Sequence, residues 1–184
     1  MRVLAQIVSG VLHPLCMPLL TLGLLMLTDG YLIHRLGLFA YLFVLLLINT
    51  LAPAISLWLL KRRGVISDLD IRNRSERPWP FLLVLAYYLM AYVLVVQSTA
   101  VAVPVFYQRV LLSLVVAIAF AWVVTWKAKI SMHMLAQGGI LAVYLHVAMM
   151  DHTWDLTWVS VLLFGAGFVG WSRLHLGAHT PAEV

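Results

Sequence analysis

The chain has 184 residues, of which 64% are hydrophobic and only 10% charged, with a formal net charge of +5. A water-soluble domain of this composition would lack the polar surface to cover its core, so a soluble fold is excluded. The apolar residues fall in runs long enough to cross a bilayer. In chain order the predicted spans are 3–28, 36–60, 79–98, 106–126, 134–150 and 156–171. These runs show no strand alternation, and backbone groups in lipid must satisfy one another, so the spans are helices. The expected fold is all-α, a polytopic transmembrane helical bundle of about six spans. It forms one domain over residues 1–184 with no separate soluble domain.

The first span begins after Arg2 and is too long, and too devoid of a small-residue cleavage site, for a cleaved signal peptide. His13-Pro14 and Pro18 are expected to kink it. Cys16 lies within it as the single cysteine, so no disulfide forms within the chain. The last two spans are short and sit with little tilt or partly in the interface. Gln137-Gly138-Gly139 reads as a close helix contact. Trp79, Trp126, Trp154, Trp158 and Trp171 lie near span ends as an interfacial belt does. His146 is assigned to interhelical hydrogen bonding. His152, Asp151 and Asp155 are assigned to a solvated turn rather than to a metal.

Six spans set which connections share a side. The N-terminus, the 61–78 and 127–133 connections and the tail lie on one face with ten basic against four acidic residues, a net +6. The opposite face holds Arg35 and Arg109 against Asp29, Asp151 and Asp155, a net −1. Lys61-Arg62-Arg63, which hug the end of a span, fit a topology signal of the positive-inside kind. The other basic residues are interleaved with histidines, Ser131 and Glu183, which a topology signal does not need. They fit an anion-binding surface for phosphate or acidic lipid.

Three short segments make up that surface. In DLDIRNRSERPWP (68–80), Arg72, Arg74 and Arg77 offer forked guanidinium donors suited to phosphate oxygens. Pro78 and Pro80 start the next span, where proline is tolerated. In KAKISMHML (127–135), Ser131 and His133 stand at the start of a span, where unpaired N–H groups and the helix dipole favour an anion. A histidine there suits proton donation to a leaving alkoxide. In WSRLHLGAHTPAEV (171–184), His179 and Glu183 are four residues apart and share a face if the tail is helical. A carboxylate so placed holds one imidazole nitrogen and leaves the other as nucleophile. Arg173 can bind the same phosphate. A zinc site from His175, His179 and Glu183 is disfavoured by the neighbouring arginines.

These segments resemble the three motifs of the membrane-bound type 2 phosphatidic acid phosphatase family. The family's third motif is Ser-Arg, five residues, His, three residues, Asp. Ser172-Arg173, His179 and Glu183 reproduce that spacing, with Glu for Asp. Its second motif, Pro-Ser-Gly-His, corresponds to Ile130-Ser131-Met132-His133, and Met132 replaces the glycine that admits close backbone approach to phosphate. Its first motif keeps Arg77-Pro78 but has Asp70 at the lysine position, for which Arg72, Arg74 or Lys129 would substitute.

The resemblance implies a metal-independent phosphatase with no cofactor, acting on a lipid phosphate or pyrophosphate whose tail lies in the bilayer. His179 would be the nucleophile that forms a phosphohistidine, Glu183 its orienting partner and His133 the acid for the leaving oxygen. Arg77, Arg173, Ser131, Arg72 and Lys129 would hold the phosphoryl group. Phosphatidate, phosphatidylglycerol phosphate and undecaprenyl pyrophosphate are the substrate types in view. The expected partners are lipid and bilayer, not nucleic acid, in a multi-pass protein of a bacterial inner membrane. Two other readings fit the same basic face: an anion- or lipid-binding transporter, and a catalytically inactive relative. The family has a further helix after its third motif, so the tail here is expected to fray unless docked. Charge bias puts the basic face in the cytoplasm, whereas the resemblance implies the outer side. The counted charges include the active-site candidates, so the bias carries little weight, and a reporter fused near residue 65 decides the side: a cytoplasmic report supports the charge rule, an outer one the resemblance.

Overall fold

A computed structural model describes residues 1–69, 71 and 73–184. Among them are eight α-helices, one 3-10 turn and no strand. The helices are α1 (Arg2–Val11), α2 (Met17–Thr28), α3 (Gly30–Ile33), α4 (Leu36–Arg62), α5 (Pro78–Val96), α6 (Val105–Thr125), α7 (Met132–Met150) and α8 (Leu156–His175). Helices α4 to α8 are each long and apolar enough to cross a membrane. The chain is therefore a polytopic all-α integral membrane protein.

The predicted first span departs from this pattern. It is broken into α1 and α2, shorter apolar helices of 10 and 12 residues. Pro14 has no N–H to donate and its ring clashes with a helical carbonyl four residues back, while the residue before a proline avoids the α conformation. Tight bonds replace the helix there, from the Cys16 N–H to the His13 carbonyl (2.8 Å) and from the Met17 N–H to the Pro14 carbonyl (3.3 Å). Pro18 sits in the first turn of α2, where its missing donor is no loss.

Contacts divide the chain into two compact units, residues 1–39 with 131–184, and residues 40–130. In the first, α1 packs on α8, α2 on α7, and α7 on α8. Met17, Leu24, Ile140, Tyr144 and Ala148 form a buried cluster between α2 and α7, which Trp158, Val159 and Leu162 of α8 cover. Tyr144 satisfies its hydroxyl by donating to the Asp155 carbonyl (3.0 Å), and Asp155 caps α8 by accepting from the Thr157 N–H (2.8 Å). The bonds from Thr157 hold the Asp155 carboxyl below its ordinary range. His152 takes the left-handed position (φ +53°) that ends α7, in the solvated turn expected of it. Gln137 is buried, but Gly138 and Gly139 are exposed, and a Cβ added at either would meet no described atom beyond its own helix backbone within 4 Å. The tight glycine is Gly170, where a Cβ would lie 3.3 Å from Val184 and 3.6 Å from Met134.

In the second unit α5 and α6 pair along matching buried faces, Phe81, Tyr88, Ala91 and Val95 on one, Tyr107, Leu111, Ile118 and Ala121 on the other. Trp122 ties their ends by donating to the Pro78 carbonyl (3.1 Å), and Ser56 of α4 meets Tyr87 of α5 at 3.0 Å. Within α4, Asn49 Nδ2 and the Thr50 hydroxyl donate to the carbonyls of Leu45 and Leu46, while Asn49 Oδ1 is buried without a hydrogen bond among the described residues. Gly64 (φ +71°) closes α4, with the Val65 N–H on the Leu60 carbonyl and the Gly64 N–H on the Lys61 carbonyl.

The polar loop that follows folds on its own acids and arginines. Glu76 accepts from the Ser67 N–H (2.7 Å), the Ser67 hydroxyl (2.9 Å) and Asn73 (3.1 Å). These bonds, the backbone one foremost, keep its carboxyl below the ordinary range. Arg77 is 3% exposed and donates Nε to the Ile71 carbonyl (2.9 Å) and Nη1 to the Ile130 carbonyl (3.0 Å). Arg74 donates to the Lys127 carbonyl at 2.6 Å. The first basic segment and the 127–130 connection are thus stitched together by arginine-to-carbonyl bonds. Arg77→Met strips two buried carbonyls of a charged donor and is expected to cost about 3 kcal/mol. A lowered thermal midpoint without any substrate checks it; an unchanged midpoint would confine Arg77 to ligand binding.

Candidate functional site

The last turn of α8 sets the site. Helix α8 ends at His175, and Gly177 (φ +63°) reverses the chain. The Ala178 N–H bonds the Arg173 carbonyl and the Gly177 N–H the Leu174 carbonyl, both at 3.0 Å. This is the paired closure that a left-handed residue permits at a helix end, and glycine adopts it at least cost. Directly after it comes His179, whose Nδ1 lies 3.3 Å from Glu183 Oε2. The tail makes this contact through a turn rather than the helix expected from the spacing. The Glu183 N–H bonds the Thr180 carbonyl (3.0 Å), the Thr180 N–H bonds Glu183 Oε2 (3.1 Å), and Pro181 takes the corner that its fixed φ favours. An ionised carboxylate only accepts, so this contact puts the imidazole proton on Nδ1.

Of the two expectations for the tail, fraying or docking, the structure shows docking. The Glu183 carbonyl accepts from the Ser131 N–H at 3.0 Å, and Val184 packs on Gly170 and Met134. Ser131 is also the N-cap of α7, accepting from the Met134 N–H at 3.4 Å. One residue at the head of α7 therefore both starts that helix and anchors the segment carrying His179.

His133, in the first turn of α7, reaches α1. Its Nε2 lies 3.1 Å from the Ser9 carbonyl and 3.3 Å from the Ser9 hydroxyl. A carbonyl only accepts, so Nε2 carries the proton in this bond. Arg173 donates Nη1 to the same Ser9 hydroxyl at 2.7 Å. Ser131, His133, Arg173, His179 and Glu183 are thus brought into one unit, joined through Ser9 and the backbone around Ala178. The cluster is enclosed: Arg173 is 2% exposed, His133 5% and His179 8%.

Arg77 and Lys129 belong to the other unit, Arg77 buried against the carbonyls described above and Lys129 half-buried in the 127–130 connection. Arg72, and Asp70 at the first-motif lysine position, lie outside the described residues. His175 stacks on Trp171 (5.3 Å, 16° between planes). Two residues join the cluster that motif reasoning passed over. Ser9 is one; His13 is the other, its ring edge-on to His133 at 5.2 Å. His13 was legible only as half of a helix-breaking pair, and nothing in the spacing marks Ser9 except its being a hydroxyl in an apolar stretch.

Compared with known proteins, the chain matches no family model, no curated protein and no solved structure.

The reversal at Gly177 aims His179. Gly177→Ala puts a Cβ in left-handed backbone and is expected to cost about 1 kcal/mol. Thermal unfolding measures it. The same variant should loosen the tail, seen as faster amide exchange at Ala178 and His179; unaltered exchange there would mean that the docked Glu183 alone holds the segment.

Proposed function

We propose that this protein is a membrane-embedded phosphatase that hydrolyses a lipid phosphate or pyrophosphate through a phosphohistidine. The observation that carries the reading is the pairing of His179 Nδ1 with Glu183 in the unit where a proton-bearing His133 Nε2 and Arg173 Nη1 converge on one residue, Ser9, at its carbonyl and its hydroxyl. That provides a nucleophilic nitrogen, an acid and a guanidinium of the kinds phosphoryl transfer uses.

In the proposed reaction, His179 Nε2 attacks phosphorus and the P–N bond forms as the bond to the leaving oxygen breaks. His133 Nε2 gives its proton to that oxygen. Glu183 steadies the positive charge that develops on the His179 ring. Arg173 binds the phosphoryl oxygens; Arg77, Arg72 and Lys129 are candidates on the family resemblance alone. Water then attacks phosphorus, the P–N bond breaks, inorganic phosphate leaves and His133 regains its proton. Ser131 acts here chiefly as the anchor of the Glu183 backbone. The acyl chains remain in the bilayer, which we take to be a bacterial inner membrane, and residues 1–184 act as one lipid-phosphatase domain.

Phosphate release by the purified protein from phosphatidate, phosphatidylglycerol phosphate and undecaprenyl pyrophosphate tests the proposal. Activity is expected to survive EDTA. His179→Ala should lose about 10³-fold or more, and His133→Ala about 10²- to 10⁴-fold in kcat. Undiminished hydrolysis by His179→Ala would sink the mechanism whatever the substrate.

One observation favours a second reading. The hydrogen bonds of Ser9, His133 and Arg173, and of His179 with Glu183, are made inside the chain, as they would be in a catalytically inactive relative that keeps them for structure. That reading predicts no phosphate release from any of the three lipids and a lowered thermal midpoint in both histidine variants.

A further inference from the structure

Resting on the phosphatase reading, the geometry points to α1 as a displaceable cap on the phosphate site, with the Ser9 hydroxyl in the place of a phosphoryl oxygen. Arg173 Nη1 and His133 Nε2 are the donors that the reaction would aim at the phosphoryl group and the leaving oxygen. Both point at Ser9, the guanidinium at 2.7 Å from its hydroxyl, the imidazole at 3.3 Å from that hydroxyl and 3.1 Å from the carbonyl. With Arg173 at 2% and His133 at 5% exposure, no lipid headgroup reaches them until something moves.

Helix α1 is built to be that element. It is short, and a non-helical stretch with Pro14 separates it from α2, so its displacement need not disturb α2 packed on α7. Two residues one turn apart, Ala5 and Ser9, are its buried ones. Val3, Leu4, Ile7 and Val11 are exposed and cluster on another side, an apolar sector suited to lipid. Arg2 and Gln6 occupy a third, polar sector. Such a helix can pivot away from α8 while its apolar sector stays in the membrane. The exchange also has the right sign. An anionic phosphoryl oxygen is a better acceptor for a guanidinium than a neutral hydroxyl, so substrate displaces Ser9 while water does not.

The sign of a mutational effect separates a cap from a structural contact. Inorganic phosphate is titrated calorimetrically into the full chain in phosphatidylcholine nanodiscs. Ser9→Ala removes the competing hydroxyl and should bind phosphate about tenfold more tightly, because the binding-competent fraction rises. Ser9→Asp supplies Arg173 with a permanent carboxylate and should weaken binding at least about tenfold. A spin label at Ile7→Cys, in a Cys16→Ser background, should become more mobile at saturating phosphate. Unchanged or weaker phosphate binding by Ser9→Ala, or a label unmoved by bound phosphate, overturns the cap and leaves the phosphatase reading standing. Phosphate bound by neither wild type nor Ser9→Ala overturns both.

Discussion

A guanidinium at 2% exposure in an apolar chain has to be surrounded by acceptors, and much of the first unit is arranged around that need. Arg173 lies in the last turn of α8, where its positive charge also suits the helix dipole. Its side chain donates to Ser9, which draws α1 against α8. Its carbonyl accepts from Ala178, which turns the chain back and delivers His179 beside Glu183. Ser9 in turn holds His133 at the head of α7, and Ser131 in the same turn holds the Glu183 backbone. These bonds link the end of α8, the head of α7 and α1 through buried polar groups, so removing one of them costs the desolvation of what it held.

The buried arginines Arg77 and Arg173 serve different ends. Arg77 donates to the carbonyls of Ile71 and Ile130, so it ties together two connecting segments. Arg173 meets a hydroxyl, a neutral group that an anion can replace. Carbonyl partners fix backbone; a hydroxyl partner leaves room for exchange.

The membrane-spanning helices were legible with small boundary shifts because long apolar runs have no other way to satisfy their backbone in lipid. The first span was not. Its hydrophobicity is continuous from residue 3 to 28, yet Pro14 sits near its middle and apolar composition does not say whether a proline bends a helix or ends it. The tail was half legible. The interval between His179 and Glu183 foretold their contact, but a turn with Pro181 at its corner makes it where a helix was expected. Gly138-Gly139 misled for a related reason, since a small residue permits close approach without requiring it.

By itself the sequence determined the all-α membrane architecture and the chemical kinds of residue in the candidate site, because both follow from composition and local spacing. Only the tertiary structure decided which of them share a unit. It joined His133, Arg173, His179 and Glu183 through Ser9 and the docked tail, and it kept Arg77 with the connections of the other unit. The physical reason is that partners far apart in the chain are chosen by which buried donor still lacks an acceptor, and that depends on the packing of helices over the whole fold.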